Sequence, residues 1–153
     1  MSRLNVNDVV QTVLTSLITA FPTIPFGDNV APKITDKTLP HAILYDLGTM
    51  GPWGAMDDAE SNLFLDLQVS CIGSRRDVIL TLADKIRQHL IRRDATTSNF
   101  ATALPVLQAL PTNPKLHIVD RYLLDNSGIS IEGHPPLQVL MYADRYRLAI
   151  VPE

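Results

Sequence analysis

The chain has 153 residues and a formal net charge of −3, with 46% hydrophobic and 19% charged residues. This length fits one domain, and a chain of this size can bury a core without disulfides or metals. The composition excludes an intrinsically disordered acidic chain and a highly basic nucleic-acid coat. The charged share lies below the ~25% typical of soluble domains. Either part of the surface is covered in an oligomer or the low share is chance.

The single cysteine, Cys71, cannot form an internal disulfide, and no Cys/His spacing typical of zinc sites is present. Residues 1–8 hold Asn and Asp where a signal peptide needs an apolar core. No stretch approaches the ~18 apolar residues of a membrane span. We therefore expect a soluble protein that assembles inside the cell.

The first predicted element is a helix that begins after Asn7 and ends before Pro22. Its apolar residues recur at three- and four-residue spacing, which places them on one face. They are Val9, Val10, Val13, Leu14, Leu17, Ile18 and Phe21. Asn7 or Asp8 is expected to cap this helix. Its other face is uncharged and rich in threonine, so the helix depends on packing, and residues 22–37 are predicted to be an extended connection.

Two strands are predicted next, over residues 42–47 and 63–71. The second has the clearest period-two pattern of the chain, with its apolar residues, Cys71 included, on one face. The acidic, glycine-containing stretch 49–60 is predicted to be a projecting loop. The two strands therefore form an antiparallel pair joined by a long hairpin loop.

A second helix is predicted to start at Ser74, which forms a capping-box-like pattern with Asp77. Its apolar stripe consists of Val78, Ile79, Leu82, Ala83, Ile86 and Leu90. Arg92 and Arg93 follow near its C-terminus, where positive charge is favourable. Residues 94–114 are predicted to be an elaborated connection. It contains one short apolar stretch that is long enough to form a single helical turn.

The C-terminal third is predicted to contain the remaining strands. Residues 116–124 form a strand, 125–128 a turn, and 129–131 continue the sheet beyond it. The last strand covers 137–151, and its apolar phase shifts partway along. That shift indicates either a β-bulge or a strand buried on both faces.

This order of elements predicts a single α+β domain over residues 1–153. The sheet is expected to be mainly antiparallel or mixed, with about four strands and two main helices packed on one face.

The candidate metal ligands do not form recognisable sites. No two histidines have the i, i+4 spacing of a zinc helix, so we expect surface or interface histidines. They are His41, His89, His117 and His134. Asp57, Asp58 and Glu60 lack the spacing of a calcium loop and are predicted to form a solvated acidic loop.

Motifs of catalysis and nucleotide binding are missing from the sequence, including a nucleophile elbow, a phosphate-binding loop and a dinucleotide fingerprint. Residues 73–75 are better interpreted as a helix cap than as an anion site, and Cys71 as a packed thiol. The basic residues of the second helix alternate with acidic ones, which favours a solvated or inter-subunit face over nucleic-acid binding. We predict no catalytic residue, cofactor site or metal site, and a protein that is not an enzyme.

Four segments together resemble the tail terminator, or tail completion, proteins of long-tailed bacteriophages. They are the N-terminal Val/Leu-rich helix, PHAILYDLG at 40–48, LDLQVSCIGSRR at 65–76 with LADKIR at 82–87, and YADRYRL at 142–148. The likeness covers most of the chain and is a pattern of elements more than a signature motif. Residues 94–114 have no counterpart in it.

The resemblance implies a virion protein, assembled in the host cytoplasm, that forms a hexameric ring on the head-proximal end of the tail tube. Such a ring ends polymerisation of the tail tube protein and offers a docking surface to a neck or head-completion protein. Exposed sheet edges, such as the last long strand, would pair neighbouring subunits. A neck or head-completion protein, or a small oligomeric ligand-binding or enzymatic domain, are the alternatives.

DNA would pass through the lumen of such a ring without specific binding. We therefore expect little net positive charge there, with the loop of Asp57, Asp58 and Glu60 as a candidate lining. Trp53 either folds back onto the core or anchors a partner surface.

Overall fold

The computed structural model describes residues 6–33, 36, 39–50, 63–132 and 138–152. These residues form two helices and five strands. In chain order they are α1 (Val6–Ala20), β1 (Phe26–Asp28), β2 (His41–Met50), β3 (Leu63–Gly73), α2 (Arg76–Ile91), β4 (Leu116–Glu132) and β5 (Val139–Pro152).

The strands form one mixed sheet in the order β1-β2-β3-β5-β4. β1 runs parallel to β2, and the other three neighbouring pairs are antiparallel. The α+β prediction is confirmed, and the sheet has one strand more than the four expected. The extra strand is β1, three residues of the predicted extended connection that pair with residues 42–44 of β2.

Both helices pack on the same face of the sheet and share one core. Along β3, the alternate side chains of Leu65, Leu67, Val69 and Cys71 are at most 2% exposed on this face. Burial raises the pKa of the Cys71 thiol to about 12. The predicted period-two pattern is therefore confirmed, and Cys71 lies in the core as its place in that pattern indicated.

The N-termini of the two helices differ from the prediction. α1 begins at Val6, so Asn7 and Asp8 lie inside the helix instead of capping it. The N-cap of α2 is Arg75, which makes no side-chain capping bond. The predicted Ser74 capping box is wrong, because the carboxylate of Asp77 accepts hydrogen bonds from the Arg75 guanidinium at 2.7 and 3.2 Å.

The apolar stripe predicted for α2 is largely confirmed, because five of its six residues are buried. They are Ile79, Leu82, Ala83, Ile86 and Leu90. Val78, the sixth, is partly exposed at the first turn of the helix.

β4 is one strand of 17 residues. The turn predicted at 125–128 is wrong, because the strand passes through this stretch and absorbs extra residues as bulges. Its pairing with β5 shifts register at three places, between Ile118 and Asp120, between Leu123 and Asp125, and between Asn126 and Ile129. At the third shift the Ser127 hydroxyl accepts the N–H of Ala143 at 3.1 Å, which keeps the two strands joined.

β5 lies inside the sheet, between β3 and β4. It pairs with β3 without a register shift, and the bulged residues belong to β4, so the predicted bulge within the last strand is wrong. The alternative, burial on both faces, fits: Tyr146 and Leu148 enter the core, while Ala143 and Ala149 are 4% exposed on the opposite face. The expectation that this strand is an exposed edge is also wrong.

A polar cluster attaches α2 to β5 within the core side of the sheet. Asp144 is 2% exposed and accepts hydrogen bonds from Arg87 Nη2 at 2.8 Å and Nε at 3.2 Å. Arg87 also donates to the Tyr142 hydroxyl at 3.1 Å, and the Tyr146 hydroxyl donates to Asp144 at 3.3 Å. The bonds to Asp144 raise the pKa of Arg87, so this guanidinium stays charged. The buried Asp144 carboxylate therefore accepts hydrogen bonds from both Arg87 and Tyr146.

Candidate subunit contact surfaces

The outer edge of β4 has no partner strand among the residues that the structure describes. In an edge strand, alternate residues direct their N–H and C=O groups away from the sheet. Two of the N–H groups on β4 are bound locally: that of Arg121 donates to the Asp120 carboxylate at 2.9 Å, and that of Gly128 to the Asn126 side chain at 3.3 Å. These two N–H groups are therefore not available to an incoming strand.

Exposed apolar side chains are concentrated on this strand. Eleven large hydrophobic side chains are exposed in the described residues, and five of them lie on β4. These five, the β4 patch, are Val119 (48%), Tyr122 (37%), Leu124 (38%), Ile129 (36%) and Ile131 (62%). Val119 and Leu124 are the unpaired residues at two of the bulges. The five do not share one face: Tyr122 lies opposite Arg147 on the face away from the helices, whereas Ile129 and Ile131 lie opposite Tyr142 and Leu140 on the helix face. The apolar edge strand as a whole is therefore the candidate contact surface.

The opposite edge of the sheet is closed by β1 and by one asparagine. The Asn29 N–H donates to the Leu44 carbonyl at 2.8 Å, and its side chain accepts the N–H of Asp46 at 3.1 Å. Further along β2, the N–H of Gly48 donates to the Asp46 carboxylate at 2.8 Å. The two edges of the sheet differ in the described residues, since β4 carries five exposed large apolar side chains and β2 carries one, Leu47.

The sheet face that points away from the helices carries two arginines of β5, and both are paired with aspartate. Arg147 forms an ion pair with Asp66 of β3 at 2.8 Å, and both side chains are about one-fifth exposed. Arg145 forms a more exposed pair with Asp125 of β4 at 3.0 Å. These pairs compensate the positive charge that β5 contributes to this face.

A cleft of about 400 Å³ separates the polar face of α1 from the segment 103–109. Its α1 wall carries a row of uncharged hydroxyl and amide side chains, and its other wall is mostly apolar. The α1 wall consists of Asp8, Gln11, Thr12, Thr15, Ser16, Thr19 and Ala20, and the segment wall consists of Ala103, Leu104, Pro105, Leu107 and Ala109. Leu107 is 74% exposed, more than any other large hydrophobic side chain in the described part of the chain.

The segment wall is held to α1 by hydrogen bonds. The Leu107 N–H donates to the Thr12 hydroxyl at 3.3 Å. Asp8, 2% exposed, accepts from the Asn113 side chain at 3.1 Å and from the Ala109 N–H at 3.4 Å. The predicted elaborated connection is therefore an ordered wall of this cleft, without the helical turn that its apolar piece allowed.

His89 of α2 forms the end of the cleft. Its Nε2 lies 2.7 Å from the Ser16 hydroxyl, and its Nδ1 lies 3.5 Å from the Thr102 hydroxyl. Burial, with a smaller contribution from the positive charge of Arg121, lowers the pKa of His89. The imidazole is therefore neutral at pH 7, and the cleft carries no positive charge from it.

We expect the free energy of unfolding to fall as the pH is lowered from 7.5 to 5. The unfolded chain binds a proton at His89 near its ordinary pKa of about 6.5, whereas the folded chain binds it only at lower pH. Urea unfolding at several pH values measures the effect. A His89→Gln variant should show a flatter pH profile over this range, and an unchanged profile would contradict the assignment.

The start of β4 is anchored to the end of α2 by a buried arginine. Arg121 is 6% exposed, and its Nη1 donates to the Leu90 carbonyl at 3.0 Å. The guanidinium groups of Arg121 and Arg93 lie 4.3 and 4.1 Å from the ring centre of Phe100. Burial lowers the pKa of Arg121 to about 10, so it keeps its charge at pH 7. The first part of β4 is therefore fixed to the C-terminal end of α2.

The interaction residues predicted from sequence, Trp53, Asp57, Asp58 and Glu60, lie outside the described residues, as does His134. The prediction of surface or interface histidines is wrong for His41, which is 2% exposed. Its Nδ1 donates to the Leu39 carbonyl at 2.8 Å, so it is buried at the start of β2. His117 is exposed, and His89 is half-buried at the cleft.

No group of three or more metal-ligating side chains converges within the described ranges. None of the helices in that part of the chain is long and apolar enough to cross a membrane. No protein-family model matches the chain, and no curated protein is significantly similar to it.

Proposed function

We propose that this chain is a structural subunit of a phage tail terminator, which forms a ring, hexameric in this proposal, on the head-proximal end of the tail tube. The ring ends polymerisation of the tail tube protein and presents a docking surface to a neck or head-completion protein. The protein acts by contact and is not an enzyme. The sequence resemblance supplies the identity of the partners, and the apolar edge of β4 is the observation that carries the proposal.

The β4 patch supports a subunit that functions in an assembly. It places five exposed large apolar side chains along one edge strand, on both of its faces, whereas scattered single hydrophobics would need no explanation. The low charged share of the sequence agrees with a surface that neighbours cover. A subunit with this patch gains stability by burying it against a neighbour.

The paired arginines on the outer sheet face support a ring through which DNA passes. Arg147 and Arg145 each hold an aspartate at 2.8 and 3.0 Å, so a phosphate backbone would have to displace a carboxylate to bind them. A lumen lined by such pairs does not retain DNA. The loop of Asp57, Asp58 and Glu60 remains a second candidate lining.

Deletion of the gene from the phage that encodes it tests the proposal. We expect unattached heads and tails of abnormal length, because nothing ends polymerisation of the tube. Electron microscopy of the lysate measures tail length, and expression of the chain in trans is the control that restores it. Unattached tails of normal length would overturn the terminator assignment and favour a neck or head-completion protein.

A further inference from the structure

The cleft between α1 and segment 103–109 continues into a second, open cavity of about 480 Å³. Ala20 and His89 line both cavities, so the two adjoin and form one groove. Along α1 this groove runs from Asp8 to Ala20, a distance of about 18 Å at 1.5 Å per residue. An extended peptide of about five or six residues covers that length at ~3.3 Å per residue.

The second cavity gives one end of the groove a positive charge. Lys85 and Arg92 of α2 line it, about 10 Å apart along the helix axis. Neither side chain belongs to an ion pair within the described residues. The carboxylates nearest to them in sequence, those of Asp84 and Asp94, accept hydrogen bonds from a side-chain amide at 2.9 Å and from a backbone N–H at 2.8 Å. This end of the groove can therefore receive an anionic group.

The rest of the groove has one apolar wall, which includes the exposed Leu107, and one wall of hydroxyl groups. On the second wall, the hydroxyls of Thr15 and Thr19 have no hydrogen-bond partner in the part of the chain that the structure describes. These two threonines are about 6 Å apart along the axis of α1. In an extended peptide, backbone groups that point to the same side recur every ~6.6 Å. The spacing therefore lets the two hydroxyls bind successive backbone groups of such a peptide.

We infer that the groove binds an extended peptide segment of a partner protein, with apolar side chains and an acidic residue at one end. The peptide backbone faces the hydroxyls of α1, the apolar side chains pack against segment 103–109, and the carboxylate contacts Lys85 or Arg92. An alkyl chain would cover the hydroxyls of Thr15 and Thr19 without giving them partners, which is unfavourable. A nucleic acid would carry its negative charges along the uncharged part of the groove as well. The groove would bind the peptide whether or not the protein caps a tail tube.

Peptide selection with the full-length protein tests the groove. The protein selects binders from a display library of random hexapeptides, and the enriched sequences are then synthesised with a fluorescein label. Fluorescence polarisation measures their affinity. We expect the enriched sequences to combine large apolar residues with aspartate or glutamate at one end. Enrichment of basic or wholly neutral sequences, or no enrichment at all, would overturn the proposal.

Removing both positive charges of the groove should weaken binding of the selected peptides by about tenfold or more. Lys85→Gln with Arg92→Gln is the test variant. Lys33→Gln with Arg76→Gln is the charge-matched control, because these two exposed residues do not line the groove. The control should change the affinity by less than about twofold, as is usual for a surface charge far from the site. Equal weakening by both double variants would indicate a general charge effect and overturn the groove as the binding site.

The two walls are tested separately with the same labelled peptides. Leu107→Asn should weaken binding by about fivefold, because an apolar contact is lost, whereas Val30→Asn, at an exposed side chain outside the groove, should not. Thr15→Val with Thr19→Val should weaken binding as well, because the peptide backbone loses two hydrogen-bond partners. Octanoate has an anionic group and an apolar chain but no peptide backbone. Displacement of the peptide by an equal concentration of octanoate would overturn the proposal in favour of an alkyl carboxylate.

Discussion

Replacing Arg87 by methionine should lower the free energy of unfolding by about 3 kcal/mol, the lower end of the range for breaking a buried ion pair. The substitution keeps the length and apolar stem of the side chain but removes the cation that contacts Asp144. That carboxylate is 2% exposed and would remain in the core with only the Tyr146 hydroxyl as a side-chain donor. Arg87 is itself 31% exposed, so some water can reach the site and limit the loss.

Urea unfolding at pH 7 measures this loss against two variants. Lys85→Met removes an exposed charge from the same helix and should stay within about 0.5 kcal/mol of the wild type. Asp144→Asn should cost less than Arg87→Met, because the freed guanidinium can turn towards water. If Arg87→Met were as stable as the Lys85→Met control, the cluster would not hold α2 on the sheet.

Placing lysine at Leu124 and Ile131 should weaken self-association at least tenfold, which corresponds to about 1.4 kcal/mol. Each ammonium group would have to leave water without a partner when the β4 patch is covered. The fold itself should tolerate both lysines, since edge strands commonly carry this residue. Mass photometry over a concentration series gives the association midpoint.

Val30→Lys is the matched control, because Val30 is an equally apolar and 68% exposed side chain away from the β4 patch. It should assemble like the wild type. Equal weakening by the control would indicate a general charge effect, and equal assembly of the double lysine variant would show that subunits do not use β4.

The sequence pattern predicted the parts of the fold in which one period runs without interruption. β3 alternates in burial from Leu65 to Val69 because one of its faces lies under the helices, and the stripe of α2 has helical spacing because it packs on that same face. The α+β class follows from these two elements and their order. Capping was predicted less well, because Asp8 binds the distant Asn113 and Asp77 binds the neighbouring Arg75 instead of forming a cap.

The errors arose where tertiary contacts override local signals. Asp125-Asn126-Ser127-Gly128 has the composition of a turn, yet pairing with β5 holds it in the sheet as a bulge. β1 is only three residues long and forms because residues 26–28 pair with the backbone of β2. No periodicity can develop in so short a strand.

The candidate contact surfaces were only partly visible in the sequence. The uncharged threonine face of α1 was recognised, but its role as a cleft wall depends on the return of segment 103–109. The apolar residues of β4 looked like ordinary strand residues, because exposure depends on which strand ends the sheet. Trp53 and the acidic loop remain predictions.

The bulges of β4 also affect the tendency of this protein to form fibrils. A regular strand of 17 residues at the edge of a sheet, with five exposed large apolar side chains, would be able to recruit identical strands and form cross-β fibrils. Three register shifts leave no long uninterrupted ladder for an incoming strand to follow. The same irregularity that presents Val119 and Leu124 to a partner therefore protects the free chain, during its synthesis and storage, from amyloid growth.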